Sequence, residues 1–368
     1  MESTHPETLI FPLPSLRAVA PPPVQRPIGL LTFSYTPERT LVFDNSAMKY
    51  YKDPPLNVSL QRDYKNWIKR PEERTRLDGL LQCLEKDQVK AEASRCDVVT
   101  WRGIMTKIIT APYESRDGWE LNVMLLGDTL YLEEHVNGNK LSEKETMEPR
   151  HRLMSYYGYS FESYCTTPNP PDPSVRPADW CGTVDTNVQW CSVVKTKISD
   201  TRIILGAEVD CVRDRFTGQP STFVELKTSR AIRNARDEGI FRSKLLKFWA
   251  QSFLLGIPEV IVGFRTDDGT LISTQSFNTS DLPNRARGKS GEWSTGVCLD
   301  FGGRFLSYVR QSIQHQQTTP EDAKVWRVRF QPRAGIELRE LVAAEIEEVR
   351  NGEDRVGFLP RPFWMSHT

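Results

Sequence analysis

The sequence RIILGAEVDC (202–211), followed after a short connection by TFVELKTS (222–229), decides both the fold and the place of its chemistry. Each stretch is apolar around a pair of charged residues, and one apolar residue separates the two members of each pair. Such runs are typical of strands that are buried on both faces of a sheet. A third stretch, KLLKFWAQSFLLGIPE (244–259), has helical length and ends in the stop signal Gly256 and Pro258. The centre of the chain therefore predicts an α/β domain with a mixed sheet.

The charged pairs in these two strands predict a cluster of carboxylates. Side chains alternate along a strand, so Glu208 and Asp210 are expected to share a face. By the same rule Glu225 and Lys227 share a face, and the short connection predicts adjacent strands. If the two faces meet, the carboxylates repel one another and are costly to bury without a cation. Oxygen ligands favour Mg²⁺ or Mn²⁺, and two such ions would activate a water and stabilise the leaving oxygen in a phosphoryl displacement.

Each of these patterns also has an ordinary explanation when it is taken alone. E-x-K and E-x-D pairs on strands are usually solvated and form cross-strand ion pairs. The apolar residues Val209 and Leu226 favour the metal site here, because unpaired charges are rare in buried strands. On the helix, Lys244, Lys247 and Gln251 form one polar stripe, which by spacing alone is typical of a surface. The functional alternative brings Gln251 to a phosphate or to the attacking water.

Composition limits the partners and the compartment. The 368 residues include 48 basic and 48 acidic side chains, so any contact with nucleic acid is expected to be confined to a cleft. No apolar run reaches about 18 residues, so no membrane span is expected. The seven cysteines form no C-x-x-C pair, and the five histidines show no H-x-H or H-E-x-x-H spacing. Reduced thiols and a metal held by carboxylates are the simplest interpretation.

The flanking segments complete the expected organisation. Residues 1–28 are rich in proline and predict an extended arm, and residues 29–368 predict a single catalytic domain. The segment DVVTWRGIMTKIIT (97–110) is rich in β-branched residues and predicts one or two strands. GWELNVMLLGDTLYLEE (118–134) predicts a hairpin with a Gly-Asp turn, and residues 336–350 predict a charged helix.

Several blocks of the chain, in a fixed order, resemble the decapping exoribonuclease (DXO) family, and more closely its fungal branch. The blocks are TWRGIMTKI, APYE, GYSFE, NVQWCSVV, GAEVDC, VELKTS and KFWAQSFLLGIPEVIVGFR. The long KFWAQSFLLGIP block and the order of the set make the resemblance specific, whereas many nucleases share a lone D-x(n)-E-x-K pattern. The resemblance implies an α/β (α+β) fold of two twisted mixed β-sheets surrounded by helices, with a D-x(n)-E-x-K nuclease-like active site.

The resemblance also assigns roles to residues of this sequence. The implied metal ligands are Glu162, Glu208, Asp210, Glu225 and the main-chain carbonyl of Leu226. The implied catalytic residues are Glu208, Asp210, Glu225, Lys227 and Gln251. The implied substrate-binding residues are Arg39, Trp101, Arg102, Gly103, Cys191, Glu208, Lys227 and Gln251. Two Mg²⁺ or Mn²⁺ ions in each site are implied as cofactors.

In function, the resemblance implies a metal-dependent hydrolase of RNA 5′ ends. Such proteins remove pyrophosphate from 5′-triphosphate RNA, release incompletely methylated caps or NAD caps, and in some members degrade RNA from 5′ to 3′. A nuclear 5′→3′ exoribonuclease as partner and a location in the nucleus are implied as well. Two alternatives stay open, a DNA exonuclease and a non-catalytic adaptor that stabilises a partner nuclease. The intact carboxylates argue against the adaptor, because a relic site tends to lose charges that cost stability.

Overall fold

The computed structural model describes residues 7–170, 172, 179–289, 291–313 and 323–367. Its strands are β1 (Thr8–Phe11), β2 (Val24–Tyr35), β3 (Leu41–Val42), β4 (Tyr50–Tyr51), β5 (Val58–Ser59), β6 (Val98–Trp101), β7 (Trp119–Leu126), β8 (Thr129–Glu134), β9 (Thr166–Thr167), β10 (Gln189–Ile198), β11 (Thr201–Glu208), β12 (Cys211–Val212), β13 (Phe223–Arg230), β14 (Glu259–Arg265), β15 (Thr270–Asn278), β16 (Trp326–Gln331), β17 (Gly335–Glu340), β18 (Arg355–Val356) and β19 (Leu359–Pro360). Its α-helices are α1 (Asp78–Leu84), α2 (Asp87–Ala93), α3 (Arg102–Thr110), α4 (Gly138–Glu145), α5 (Pro149–Cys165), α6 (Ala235–Leu255), α7 (Leu282–Ala286), α8 (Thr295–Ile313), α9 (Ala343–Arg350) and α10 (Arg361–His367). None of the helices described is both long and apolar enough to span a membrane.

The larger sheet has the strand order β1-β17-β16-β7-β8-β6-β11-β10-β2-β3. Its central strand β11 pairs antiparallel with β10 and parallel with β6. The predicted hairpin over residues 118–134 is confirmed as β7 and β8. One face of this sheet packs on α3, α6 and α8, and the other packs on α1 and the C-terminal segment.

The second sheet has the order β5-β15-β14-β13-β12-β4-β9. Its central strand β13 pairs parallel with β14 and antiparallel with β12. Helix α5 covers one face so closely that a Cβ added at Gly263 would lie 2.4 Å from the ring of Phe161. Helix α6 covers the other face, where Phe241 packs against Phe264. The expected architecture of two mixed sheets surrounded by helices is confirmed.

The β-branched segment 97–110 does not form a second strand, so that part of its prediction was wrong. Strand β6 ends at Trp101, and α3 begins at the next residue, Arg102. Ile104 and Ile108 are buried at helical spacing in the apolar layer that α3 shares with α6 and α8. Packing of this apolar face outweighs the preference of β-branched residues for strands.

The predicted helix over residues 336–350 was wrong in its first half. Gly335–Glu340 is strand β17, and α9 begins at Ala343. Ile336 and Leu338 are buried at a spacing of two, which is the period of a strand that faces a core on one side.

The proposed arm is partly built into the large sheet. β1 pairs with β17, and β2 begins at Val24 and pairs with β10, so the boundary at residue 28 falls inside a strand. Phe11 explains the order of this segment, because its ring lies 5.4 Å from that of Phe301 on α8. Residues 1–6 lie outside the described residues. The assignment of residues 29–368 to one catalytic domain stays a proposal.

Candidate functional site

The two sheets meet where the chain leaves β11. This strand ends at Glu208, and β12 begins at Cys211 in the other sheet. Asp210 therefore lies in the crossover and not on one strand with Glu208, so that part of the prediction was wrong. Both residues nevertheless line one cavity of about 590 Å³. The chain changes sheets between these two residues, and their side chains still reach the same cavity.

Glu225 and Lys227 lie on β13, and their predicted common face is confirmed by direct contact. The Lys227 Nζ donates to Oε1 of Glu225 at 2.5 Å, and the Nη1 of Arg102 donates to its Oε2 at 2.9 Å. Glu225 has 0% of its surface exposed. Burial alone would raise the pKa of Glu225, but the charges of Arg102 and Lys227 lower it to about 2. Glu225 is therefore an ionised carboxylate held between two cations.

Arg102 reaches Glu225 because the start of α3 is anchored by Trp101. The indole N–H of Trp101 donates to the carbonyl of Arg76 at 2.9 Å. Its ring packs on β11 at Gly206, where an added Cβ would lie 2.5 Å from the ring. Gly103 is exposed, and an added Cβ there would meet no atom within 4 Å. Of these three predicted substrate contacts, Arg102 pairs with a carboxylate, Trp101 packs against the sheet and Gly103 faces open space.

Asp210 and Glu162 add two further carboxylates at the cavity. Oδ2 of Asp210 accepts a hydrogen bond from the main-chain N–H of Leu226 at 2.7 Å, and Glu162 extends from α5. Burial and the charge of Glu225 raise the pKa of Asp210 to about 7. Burial and the charges of Asp210 and Glu208 raise the pKa of Glu162 well above its usual value. The carboxylates therefore repel one another across the site.

Glu208 connects the site to two of the predicted substrate residues. It is exposed to the cleft, and desolvation of its charge by the surrounding protein raises its pKa. Its Oε2 accepts from Gln189 Nε2 at 2.7 Å, and Oε1 of Gln189 accepts from Arg39 Nη1 at 2.7 Å. Cys191 is buried opposite Glu208 in the register of β10 and β11. Burial and the charge of Glu208 raise the pKa of this thiol well above its usual value.

Gln251 is the predicted catalytic residue that the structure does not join to the carboxylates. It is partly buried on α6, which packs against β13 and α3. Within the described chain, no hydrogen bond links its side chain to Glu208, Asp210 or Glu225. The expected position on a helix over the sheet is confirmed, and a contact with phosphate or water stays a proposal.

The sequence analysis missed several cavity residues, among them Tyr159, Lys49 and Trp67. Tyr159 lines the cavity one helical turn before Glu162, a spacing that the GYSFE block already contained. Burial and the charges of Glu162 and Glu208 raise the pKa of Tyr159. Lys49 and Trp67 also line the cavity, and neither belongs to a motif, so no sequence signal pointed to them.

The chemistry of the donor set fits a hard divalent cation. Its carboxylate oxygens are those of Glu162, Glu208, Asp210 and Glu225. Burial raises the pKa values of three of them, repulsion between the carboxylates adds to this effect, and a cation would relieve both. As the side chains stand, however, no three His, Cys, Asp or Glu groups in the described part of the chain are arranged to hold a metal ion. Binding therefore requires the carboxylates to turn from their present hydrogen-bond donors towards one point.

The chain is similar to proteins of known family over nearly its whole length. The family model described as RAI1 like PD-(D/E)XK nuclease matches residues 25–364. A decapping nuclease RAI1 of Neurospora crassa is 36% identical over 90% of this chain and 81% of its own. The decapping and exoribonuclease protein of Rattus norvegicus is 35% identical over 82% and 78%.

Solved structures extend this similarity to the fold. Rai1 of Scheffersomyces stipitis, in complex with (3′-NADP)⁺ and a calcium ion, matches with a TM-score of 0.83 and 26% identity over 100% of both chains. S. pombe Rai1 in complex with 3′-FADP matches with a TM-score of 0.74 and 28% identity, over 92% of this chain and 100% of that one. The range that the family model matches, residues 25–364, includes every strand and helix that carries a candidate carboxylate.

Proposed function

Because the chain belongs to the RAI1 like PD-(D/E)XK nuclease family and is thus a hydrolase, we propose that it acts on the phosphates at the 5′ end of RNA. The observation that carries the proposal is the group of four carboxylates and Lys227 where the two sheets meet. The proposed substrates are 5′-triphosphate RNA and RNA with an incompletely methylated cap or an NAD cap. Support comes from relatives named decapping nucleases and from related structures that hold dinucleotides.

Some residues of the chain would bind the metal ions, and others would stabilise charge on the reacting phosphate. Two Mg²⁺ or Mn²⁺ ions, held by Glu162, Glu208, Asp210, Glu225 and the Leu226 carbonyl, would supply an activated water and stabilise charge on the phosphate. Burial opposes the charge of Lys227, but Glu225 and Asp210 outweigh it and raise the pKa of the lysine. Lys227 therefore keeps its positive charge beside the reacting phosphate.

The remaining predicted residues would position the RNA. Arg102 presents its guanidinium at the start of α3, where it can share its charge between Glu225 and a phosphate. The chain of hydrogen bonds from Arg39 through Gln189 to Glu208 ties the 5′ nucleotide side of the cleft to a candidate metal ligand. Gln251 would orient the attacking water from α6.

One experiment tests this function directly. A short RNA is prepared with a 5′-triphosphate, an NAD cap or a 5′-monophosphate and incubated with the protein and Mn²⁺, and its products are resolved by mass. We expect pyrophosphate or an intact cap to be released, and nucleotides from the monophosphate RNA if exonuclease activity is present. The variant Glu208→Ala, Asp210→Ala should be inactive but folded, whereas Glu347→Ala on the exposed side of α9 should stay active.

The outcomes separate the proposal from its alternatives. DNA of the same sequence, tested in parallel, should be left intact; a preference for DNA would assign a DNA exonuclease instead. If all RNAs stay intact, the adaptor function would replace the hydrolase.

A nuclear location and a complex with a 5′→3′ exoribonuclease are part of the same proposal. Both rest on the resemblance of the sequence to the fungal branch of the family. Co-purification of the tagged chain with the exoribonuclease from a nuclear fraction tests both. Recovery of the chain alone, from the cytoplasmic fraction, would contradict both.

A further inference from the structure

A row of polar side chains on β13 continues beyond the candidate site. Glu225, Lys227 and Ser229 alternate on the strand and face α6, at steps of about 6.6 Å for every two residues. Ser229 is buried, and its Oγ lies 3.2 Å from Nζ of Lys244, which extends from α6. Lys244 therefore places a second ammonium group one step further along the row that begins at Glu225.

Lys244 differs from Arg242 and Lys247 of the same helix, which both pair with carboxylates. Arg242 pairs with Glu238 at 2.7 Å, and Lys247 pairs with Glu114 at 3.1 Å. In the part of the chain that is described, Lys244 forms no ion pair, and its only hydrogen bond is to a neutral hydroxyl. Lys244 is also partly buried, whereas the side chain of Lys247 is 55% exposed.

Two arginines lie at the ends of the paired strands β13 and β14. Arg230 and Arg265 face each other in the register of the parallel strands β13 and β14, an arrangement of like charges that costs stability. Burial and the charges of Arg265 and Arg230 lower the pKa of Lys244. Arg230 pairs with Asp237 and Asp267, whereas Arg265 has no carboxylate ion pair among the described residues and lies over the ring of Tyr157. The end of β13 therefore holds positive charge that an anion would stabilise.

We propose that Lys244, supported by Ser229, binds an internal phosphodiester of the RNA, one nucleotide along the chain from the scissile phosphate. The proposal rests on the proposed function: with the scissile phosphate beside Lys227, the partly exposed side chain of Lys244, one step further along the row, can meet the next phosphate. Phosphates set the register of a nucleic acid without reading its sequence. Lys244 thus makes the site prefer a polynucleotide chain to a free nucleotide.

Binding measurements in the variant Glu208→Ala, Asp210→Ala isolate this contact, because the RNA stays intact there. Lys244→Met is added to that background, and binding of a labelled 5′-triphosphate pentanucleotide and of a labelled nucleoside triphosphate is followed by fluorescence anisotropy. We expect Lys244→Met to weaken pentanucleotide binding about tenfold and leave the nucleoside triphosphate unchanged, since only the former has a phosphodiester. The slope of log affinity against log salt for the pentanucleotide should fall by about 0.7.

Two matched variants separate charge from structure. Lys244→Arg keeps the charge and should restore binding, and Lys247→Met removes an exposed lysine of the same helix and should change nothing. The melting temperature of Lys244→Met should not fall, because the substitution removes a cation that its neighbours repel. The same length dependence is expected in kcat/KM when the carboxylates are intact.

The results distinguish this inference from the proposed function. If the unaltered protein hydrolyses RNA but Lys244→Met loses no affinity, or loses it equally for both ligands, the inference fails and the function stands. A lower melting temperature without a change in length dependence would show a structural lysine and overturn the inference. If no RNA is hydrolysed but Lys244→Met still weakens pentanucleotide binding, the proposed function fails and the phosphate site stands.

Discussion

At the residue scale, Glu225 shows how a fully buried carboxylate stays ionised. One of its cations, Lys227, comes from the same strand at a spacing of two, and the other, Arg102, comes from the first turn of α3. Each oxygen of the carboxylate accepts one charged hydrogen bond, so neither is left unpaired in the apolar interior. The charge that the site needs is thus held before any substrate binds.

Arg102→Met would remove one of these two cations. We expect the free energy of unfolding to fall by about 3 kcal/mol, because a buried carboxylate that loses a partner is costly. Arg102→Lys keeps the positive charge but not the planar guanidinium group, and its free energy of unfolding should fall less. Urea denaturation followed by circular dichroism measures both variants, and an unchanged Arg102→Met would contradict the expected role of the pair.

Glu133 provides a pH-dependent test away from the metal site. It is buried on β8, where Arg76 donates to it at 2.8 Å, yet burial outweighs this partner and raises its pKa from 4.5 to about 7. A raised folded-state pKa means that its contribution to stability is complete below about pH 4.5 and is lost as the pH rises through about 7. Relative to Glu133→Gln, the unaltered protein should therefore lose on the order of 3 kcal/mol of unfolding free energy between these limits.

Urea titrations of both proteins from pH 5 to 8 measure this difference. The two proteins share all other carboxylates, so the pH dependence that those groups cause cancels in the comparison. Glu134→Gln, the neighbour that pairs with Lys107, serves as the control and should give a profile parallel to that of the unaltered protein. If the pH profile of Glu133→Gln also runs parallel to that of the unaltered protein, Arg76 compensates fully for the burial of Glu133.

At the scale of elements, β1 joins the N-terminal segment to the edge of the large sheet. It pairs with β17 through its backbone, and Phe11 is its only buried side chain. The ring of Phe11 lies 5.4 Å from that of Phe301 and 5.7 Å from that of Phe305, both on α8. The same strand thus covers an open sheet edge and fastens α8 to the sheet.

Phe11→Ala should loosen this attachment. We expect a loss of about 3 kcal/mol in unfolding free energy, since a buried ring leaves a cavity against α8. Ile10→Ala, one residue earlier and 56% exposed, should change stability by less than about 0.5 kcal/mol. Chemical denaturation compares the two, and equal losses would show that backbone pairing and not the ring holds the strand.

At the scale of the whole molecule, the candidate site belongs to neither sheet alone. Glu208 comes from the large sheet, Glu225 from the second sheet, and Glu162 from the helix that covers the second sheet. A ligand that binds all three therefore binds the folded state and not the unfolded chain. Its free energy of binding adds to the stability of the whole domain.

Addition of Mn²⁺ should accordingly raise the melting temperature. At a free Mn²⁺ concentration of a hundred times Kd, the free energy of unfolding should rise by about 2.7 kcal/mol. The gain should be smaller at pH 5.5 than at pH 8, because Asp210, whose pKa is raised to about 7, must lose its proton to bind a cation. Differential scanning calorimetry measures the shift; the variant Glu208→Ala, Asp210→Ala should show none, and an equal shift in that variant would place the metal elsewhere.

The sequence by itself determined the features that depend on neighbours along the chain. Alternation on β13 placed Glu225 and Lys227 on one face, and the stop signal at Gly256 marked the end of α6, where this residue adopts a φ of 78°. Both follow from backbone geometry over a few residues, which the sequence states directly. The carboxylates and the family blocks could be identified from the sequence for the same reason.

Only the tertiary structure decided how distant segments meet. It moved Asp210 from a strand to the crossover between sheets, turned residues 102–110 into a helix, and brought Lys49 to the carboxylates. Among the described residues it also leaves Lys244 without a carboxylate partner at the end of β13. These features depend on contacts between segments far apart in the chain, where burial and packing outweigh local preference, so no spacing in the sequence could reveal them.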